Sequence, residues 1–347
     1  MYFNIEPKSR IKDFFNYRTE YEEIKSALKR GEKIISLIGV RRVGKTSLLN
    51  VLYHELSGLK VWIDGRIISD PKKELFSIIY DIAKEKKSKI FGKIESVDLS
   101  VGNVGMRIIR KVDESFLKME EVIRKAGRIH VFIDEAQRIG PLQLADVISY
   151  FYDRIPNVSF IISGSEVGVI EDVLGERDAA AHPLFGRHIV KIEMKRLDKE
   201  RAREYLSMGF RQLKFRISEE EIRHVVEELD GLIGWLTLYG YERAVLKNSN
   251  ALEKTKKIAT KVVASELQSF LQRIRNKKLY ITIIRNSNHV TWSQLYYYVS
   301  KDMRKKINPN TLTQALERLM KYSFIMRREN LYFRADPFLL DATFYIH

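Results

Sequence analysis

Residues 39–46 read Gly39-Val40-Arg41-Arg42-Val43-Gly44-Lys45-Thr46 and match the pattern G-x-x-x-x-G-K-[ST] at every defined position. The apolar run Ile34–Ile38 precedes the motif, and the leucine-rich stretch Leu48–Leu56 follows it with helical spacing. In a strand, loop and helix of this order, the loop N–H groups and the helix N-terminus face an anion. The stretch therefore predicts a phosphate-binding loop (P-loop) in an α/β protein that binds a nucleoside triphosphate.

The residues of this loop have expected roles toward ATP and Mg²⁺. Lys45 should reach the β- and γ-phosphates, and Thr46 should ligate Mg²⁺. The side chains of Arg41 and Arg42 are expected to be exposed or to lie at an interface, not to act in catalysis. The predicted nucleotide-binding residues are Gly39, Val40, Arg41, Arg42, Val43, Gly44, Lys45, Thr46 and Ser47.

A second motif, Asp134-Glu135, follows the apolar run Ile129–Ile133. An acidic pair after a strand often marks only the strand end, but its position about 90 residues after the P-loop is more specific. We expect Asp134 to hold Mg²⁺ through water and Glu135 to polarise the attacking water. His130 lies within the strand and is interpreted as a core or edge residue.

Five apolar runs separated by helical patterns predict a parallel sheet with helices on both faces. These runs are Ile34–Ile38, Val61–Ile63, Ile129–Ile133, Phe160–Ser163 and Ile189–Ile192. Between Ile94 and Arg110 the alternation breaks, and residues around Gly102-Asn103-Val104-Gly105 predict an inserted β-hairpin.

The sequence after the sheet changes character twice. From Asp198 to about Lys247 the pattern is helical, which predicts a helical lid domain. Thr291 then opens a helix to about Lys306, Asn308-Pro309 opens another, and a hairpin turns at Glu329-Asn330. This order is typical of a winged helix-turn-helix. The predicted domains are residues 1–195, 196–265 and 266–347.

The composition indicates a folded chain that carries a large positive charge. Of 347 residues, 45% are apolar and 31% charged, there is no cysteine, and the net charge is +16. We expect a cytoplasmic protein without a membrane span, since no apolar run approaches the roughly 20 residues that a span needs. Residues 254–347 hold 18 Lys or Arg and 6 Asp or Glu, a net of +12.

This segregated charge favours a partner with a phosphate backbone, although a lysine-rich solvated surface would look the same. Polar residues on the outer faces of the helix after Asn308 are suited to reading bases, and neighbouring cations to binding phosphates. These residues are Asn310, Thr311, Thr313, Gln314 and Arg318, with Arg304, Lys305, Lys306, Arg327 and Arg328 for the phosphates. The sequence thus indicates duplex DNA as a partner.

Beyond the two nucleotide motifs, the chain resembles the archaeal ATPase family, a branch of the P-loop NTPases related to AAA+ and STAND proteins. The motifs that carry the resemblance are Phe15-Asn16-Tyr17-Arg18-Thr19-Glu20, Val61–Arg66, Asp134-Glu135-Ala136-Gln137, Ile162–Glu166, Pro183–Arg187 and Gly231-Leu232-Ile233-Gly234-Trp235-Leu236. In the last motif, Ile233 stands where proline is usual.

The resemblance implies ATP hydrolysis and adds three site assignments. Arg18 would lie near the adenine, and Ser163 or Ser165 would sense the γ-phosphate. Arg187 would stabilise transition-state charge, in its own chain or from a neighbouring subunit of a homo-oligomer; its alternative is a structural ion pair. The predicted catalytic residues are Glu135, Lys45, Arg187 and Ser163.

Two functions remain open at this point. One is an ATP-driven switch that binds duplex DNA through the winged helix. The other is a STAND-type signalling or defence ATPase, in which the winged helix contacts a protein partner. A role as a replication initiator or helicase loader shares the architecture, but no segment singles it out, and no motif of a processive translocase is found.

Overall fold

The computed structural model describes residues 1–91, 108–175 and 182–346, and a parallel sheet lies at its centre. The strand order is β2-β3-β4-β1-β5. The strands are β1 (Ile34–Ile38), β2 (Leu59–Asp64), β3 (Ile129–Asp134), β4 (Val158–Gly164) and β5 (Val190–Glu193). The predicted α/β fold with five parallel strands is confirmed, and each predicted run lies within two residues of an observed strand.

The order of the strands positions the chemistry. Strand β4 pairs on one side with β1, which ends at the P-loop, and on the other with β3, which ends at Asp134. All residues of β3 and β4 are buried, which explains their largely apolar sequences. The carboxyl ends of parallel strands share one edge, so the P-loop, Asp134 and the end of β4 converge there.

In the described ranges, six helices flank this sheet. They are α1 (Arg18–Lys29), α2 (Lys45–Glu55), α3 (Pro71–Phe91), α4 (Ile108–Lys125), α5 (Pro141–Arg154) and α6 (Val167–Leu174). Helix α5 begins with Pro141, whose fixed φ suits the first helical position. The predicted β-hairpin at residues 102–105 lies outside the described residues.

A helical region follows β5. It contains α7 (Lys199–Gln212), α8 (Glu219–Leu229), α9 (Ile233–Gly240), a π-helical turn at Tyr241–Val245, and α10 (Ala251–Leu271). Ser218 caps α8 by accepting a hydrogen bond from Glu221 N at 3.1 Å, as its sequence spacing predicts. The predicted domain boundary after residue 265 falls inside α10, which continues to Leu271.

The C-terminal region combines helices with a small antiparallel sheet of order β6-β8-β7. Its elements are α11 (Lys277–Asn286), β6 (Asn288–Val290), α12 (Trp292–Asp302), α13 (Pro309–Lys321), β7 (Ile325–Arg328), β8 (Leu331–Arg334) and α14 (Leu339–Ala342). Thr291, predicted to open a helix, forms a capping box with Gln294 at the start of α12. That helix ends at Asp302, earlier than predicted, and Arg304 follows in a left-handed conformation with φ 52°.

One hydrophobic core runs through all three regions. It joins residues on the P-loop side of the sheet, such as Leu37 and Val43, to Leu236 of α9 and Leu316 of α13. A second core fills the other face of the sheet and includes Val131, Phe151 and Phe160. Within the described ranges, no helix is long and apolar enough to cross a membrane.

Candidate nucleotide-binding site

The P-loop has a backbone conformation that two glycines make accessible. Gly39 has φ +151° and Gly44 has φ +102°, values that side-chain-bearing residues rarely adopt. A Cβ atom at Gly39 would lie 2.4 Å from the carbonyl oxygen of Met194, so the loop also packs too tightly there for a side chain. The backbone geometry of the loop therefore explains why this motif has glycine at both positions.

Lys45 lies at the first position of α2, and its ammonium group is buried. Its Nζ atom donates to the carbonyl oxygens of Gly39 at 2.7 Å and Val40 at 2.8 Å, both within the loop itself. Burial lowers the pKa of Lys45 to about 7, and the nearby charge of Glu135 opposes this shift. A bound phosphate would supply the negative charge that this buried cation needs.

Thr46 and Asp134 bring oxygen atoms together between β1 and β3. The Thr46 hydroxyl donates to Asp134 Oδ2 at 2.9 Å. The buried hydroxyl of Ser163, at the end of β4, donates to Asp134 Oδ1. Hydroxyl and carboxylate oxygens are the ligand types that Mg²⁺ prefers, so the donor set fits this ion.

Glu135 is held by a neighbouring amide. The residue has a left-handed backbone with φ 52°, and the turn Ala136–Arg138 follows it. Gln137 Nε2 donates to Glu135 Oε2 at 2.6 Å and to the Ser165 hydroxyl at 3.1 Å. Gln137 thus connects the acidic motif of β3 to the segment after β4, and it fixes the carboxylate at the edge of the cleft.

A cleft of about 570 Å³ opens beside these groups. One wall comes from the N-terminal segment, including Asn4, Lys8 and Tyr17, and another from α9, including Ile233. The backbone N–H of Lys8 donates to the Ser47 hydroxyl at 3.1 Å, which fastens the segment to the start of α2. Burial lowers the pKa of Lys8 to about 8. No periodic pattern in the sequence indicates this wall.

Two further arginines line the cleft and were not predicted as site residues. Arg66, after β2, forms a bidentate pair with Asp64 at 2.5 Å and 2.9 Å. Arg138 ends the turn after Glu135 and is exposed, and its side chain has no ion-pair or hydrogen-bond partner in the part of the chain that the structure describes. Its position three residues after Glu135 was the one available signal.

The side chains of Arg41 and Arg42 line the cleft and join the P-loop to groups outside it. Arg41 donates to Glu166 at 2.8 Å and to the carbonyl oxygen of Tyr322 at 3.0 Å. Arg42 pairs with Glu266 of α10 at 2.6 Å and with Asp336 at 3.2 Å. As predicted, these side chains lie at an interface, here one within the chain.

Helix α9 also contacts the P-loop through its backbone. Gly234 N donates to the carbonyl oxygen of Arg42 at 2.9 Å. A Cβ atom at Gly234 would lie 2.9 Å from Cβ of Arg42, so the two segments touch directly. Ile233 lines the cleft although it replaces the proline usual at this position.

Three predicted site residues lie elsewhere than expected. Arg18 begins α1 with an exposed side chain that does not line the cleft, because Tyr17, in a left-handed conformation, takes that place. Ser163 is buried behind Asp134, whereas Ser165 lines the cleft. Of the two serines, Ser165 has the position suited to a phosphate sensor.

Arg187 is the third of these residues and pairs with Asp153 of α5 at 2.5 Å. It precedes β5, whose Val190 pairs with Ile35 near the start of β1. It therefore lies at the amino edge of the sheet, opposite the P-loop. A role toward the phosphates of its own chain is wrong for this conformation, and the ion-pair alternative is the one observed.

Comparison with known proteins agrees with this geometry. Residues 14–238 match the sequence profile described as an ATPase domain predominantly from Archaea. A Walker-type ATPase of Pyrococcus abyssi is similar in structure, with 28% identity, 99% of each chain covered and a TM-score of 0.79. No protein of curated function matches the chain.

The Holliday-junction branch-migration motor RuvB of Thermotoga maritima aligns over 95% of this chain and 96% of its own at 14% identity, with a TM-score of 0.44. This likeness is too distant to carry an argument about the present chain. The profile match alone covers more than half of the sequence and includes every nucleotide motif described above. The chain belongs to the family of ATPase domains found predominantly in Archaea.

Proposed function

We propose that this ATPase is a nucleotide-driven switch that binds duplex DNA through a C-terminal winged helix. ATP hydrolysis itself is supported by the family and by the similar Walker-type ATPase. The finer assignment rests on how the nucleotide site is joined to the C-terminal region, and on what that region leaves exposed.

In the proposed nucleotide complex, the P-loop backbone and Lys45 hold the β- and γ-phosphates. Thr46 and Asp134 hold Mg²⁺, with Asp134 acting through water, and Ser163 orients the Asp134 carboxylate through its hydrogen bond. When bound, Mg²⁺ neutralises charge that develops on the transferring phosphoryl group. Among the described residues, no group of three or more His, Cys, Asp or Glu side chains that could hold a metal ion is found.

Glu135 is the proposed general base that orients and deprotonates the attacking water. Gln137 is a positioning residue, since it holds one Glu135 oxygen at 2.6 Å and leaves the other free to face water. Ser165 is the proposed sensor of the γ-phosphate. Arg138 is proposed to stabilise transition-state charge from within the same chain, because it lines the cleft without a partner among the described residues.

The order α11, β6, α12, α13, β7 and β8 supports a winged helix in which α13 reads DNA. The C-terminal end of α13 is anchored, since Lys321 pairs with Asp172 and the Ser323 hydroxyl accepts from Val167 N at 3.1 Å. Its N-terminal half stays open, since Asn310, Thr311 and Gln314 are exposed, and Arg318 of the last turn is exposed as well. Thr313 is half-buried and accepts a hydrogen bond from Trp292.

The observation that carries the switch is the double contact of Arg41 and Arg42. These residues belong to the phosphate-binding loop, yet their side chains hold Glu266 of α10 and groups of the C-terminal region. A change in loop geometry when ATP replaces ADP would act on these contacts directly. The orientation of the winged helix would change in this way, because these ion pairs connect the nucleotide site to the C-terminal region.

A direct test measures ATP hydrolysis with and without duplex DNA, and DNA affinity with ADP and with a non-hydrolysable ATP analogue. We expect duplex DNA to stimulate hydrolysis, and the two nucleotides to give different DNA affinities. The Glu135→Gln variant should bind DNA and hydrolyse little. The proposal fails if duplex DNA binds in neither nucleotide state.

The second candidate is a STAND-type ATPase with a protein partner. It is favoured by the docking of the C-terminal region against the P-loop and α6, since a domain held there can be released to a partner. Here hydrolysis would be indifferent to DNA. An oligomer would form with an ATP analogue but not with ADP, and sedimentation velocity in the two nucleotide states would detect it.

A further inference from the structure

A second cleft, distinct from the nucleotide site, opens in the C-terminal region with a volume of about 630 Å³. It lies between α11, the end of α12 and the chain after α14. Its lining contains five cations and one acid, namely Lys277, Lys278, Arg285, Lys301, Arg304 and Asp302. Such a ratio is unusual for a concave surface, because like charges that face one another across a cleft repel.

The positive charge of this basic cleft is poorly compensated. Asp302 accepts a hydrogen bond from the Asn286 amide at 2.7 Å, and Arg285 donates to the Thr343 hydroxyl at 2.9 Å. In the described part of the chain, Lys277, Lys278, Lys301 and Arg304 have no ion-pair partner, and all four are exposed. The described residues therefore leave a positive charge here that an external anion can neutralise.

The form of the basic cleft favours a polymer backbone over a small nucleotide. Its cations lie at the exposed rim, where they can follow a chain of phosphates. None of the described residues that line it is aromatic, so it offers no surface on which a base would stack. The exposed residues Arg304, Lys305 and Lys306 then lead directly to Asn308, the N-cap of α13.

We propose that the basic cleft holds the phosphate backbone of duplex DNA beside the segment that α13 reads. This inference rests on the proposed DNA-binding function and extends it to a phosphate-contact surface formed by α11 and the end of α12. Contacts of this kind position a duplex and carry no sequence information. The cleft should therefore contribute equally to the binding of any duplex.

The salt dependence of DNA binding tests this inference. Each lost phosphate contact lowers the magnitude of the slope of log K against log[salt] by about 0.9. We expect the triple variant Lys277→Gln, Lys278→Gln, Lys301→Gln to lower it by about 2.7. It should also weaken binding of two unrelated duplexes by the same factor. The matched control is Lys12→Gln, Lys29→Gln, Lys199→Gln, which removes three exposed lysines far along the chain from the cleft.

Thermal denaturation of both triple variants shows whether each remains folded. The inference is overturned if wild type, cleft variant and control bind duplex DNA with the same slope. It is also overturned if inorganic tripolyphosphate binds to the cleft and duplex DNA does not compete with it. Failure of wild type to bind any duplex would instead remove the proposed function, so the two failures are distinguishable.

Discussion

Arg42 and Asp336 are 294 residues apart in the sequence, yet the guanidinium Nη1 of one lies 3.2 Å from the carboxylate Oδ2 of the other. The same carboxylate oxygen accepts from the Trp235 indole at 3.0 Å, and the Arg42 guanidinium lies 4.3 Å from the Trp235 ring centroid. Burial raises the pKa of Asp336, while the positive charge of Arg42 opposes that rise. One P-loop residue thus joins the sheet, α9 and the C-terminal region.

Removal of Arg42 should destabilise the protein. In Arg42→Gln the Asp336 carboxylate stays buried without its cation, a defect that typically costs about 3 to 5 kcal/mol. Asp336→Asn should cost less, because its amide oxygen can still accept from Trp235. Urea denaturation of both single variants and the double variant gives the coupling energy. Additive effects would show that the pair has no mutual stabilisation.

Replacement of the proposed base should separate nucleotide binding from hydrolysis. We expect Glu135→Gln to lower kcat by about 10²- to 10⁴-fold and to leave ATP affinity nearly unchanged. Gln137→Ala should lower kcat by a smaller factor, since the carboxylate remains but loses its orienting amide. Single-turnover hydrolysis and nucleotide titration measure the two effects. Equal rates for Glu135→Gln and wild type would exclude Glu135 as the base.

Replacement of Arg138, which follows the acidic motif, and of Arg187, which precedes β5, should affect hydrolysis differently. Arg138→Ala is expected to lower kcat by about 10²-fold, because it removes an electrostatic stabiliser at the cleft. Arg187→Ala should leave kcat unchanged and cost at most about 1 kcal/mol of stability, because its Asp153 pair is partly exposed.

A mixing experiment separates these roles from a contribution between subunits. Lys45→Ala retains Arg187 but has a disabled P-loop, whereas Arg187→Ala retains its P-loop. If Arg187→Ala is inactive and the mixture of the two recovers hydrolysis, Arg187 acts on a neighbouring subunit's nucleotide. That result would contradict the structural role expected here.

The metal site should depend on the hydroxyl at position 46. Thr46→Ala is expected to raise the Mg²⁺ concentration for half-maximal hydrolysis by about 10- to 100-fold. Thr46→Ser keeps the hydroxyl and serves as the matched control. Removal of Mg²⁺ by a chelator should abolish hydrolysis in all variants. An unchanged Mg²⁺ requirement in Thr46→Ala would mean that this hydroxyl does not ligate the ion.

Local signals allowed much of the fold, and the place of the candidate site in it, to be predicted. Strands β1, β3 and β4 are fully buried or nearly so, and their largely apolar sequences show this without any knowledge of their neighbours. The P-loop and Asp134-Glu135 are also local, because each lies at the end of one strand. Their convergence follows from the parallel sheet alone.

Contacts between residues that lie far apart in the chain could not be predicted from the sequence. Nothing near Arg42 in the chain indicates Asp336 or Glu266, and no periodic pattern indicates that Lys8 fastens to Ser47. Arg18 was misplaced by the turn before α1, where Tyr17 faces the cleft instead. The position of Arg187, by contrast, could have been predicted from the sequence. A residue directly before a parallel strand lies at the edge of the sheet opposite the P-loop.

The hydrogen bond from Gly234 N to the carbonyl oxygen of Arg42 is made by main-chain atoms alone. It therefore survives replacement of the arginine side chain, whereas a side chain at position 234 would lie 2.9 Å from Cβ of residue 42 and disturb it. Relatives could replace every ionic contact around the loop and still keep this main-chain hydrogen bond. The coupling between the P-loop and α9 would then be retained through main-chain geometry, while the charged residues around this contact vary between relatives that have different partners.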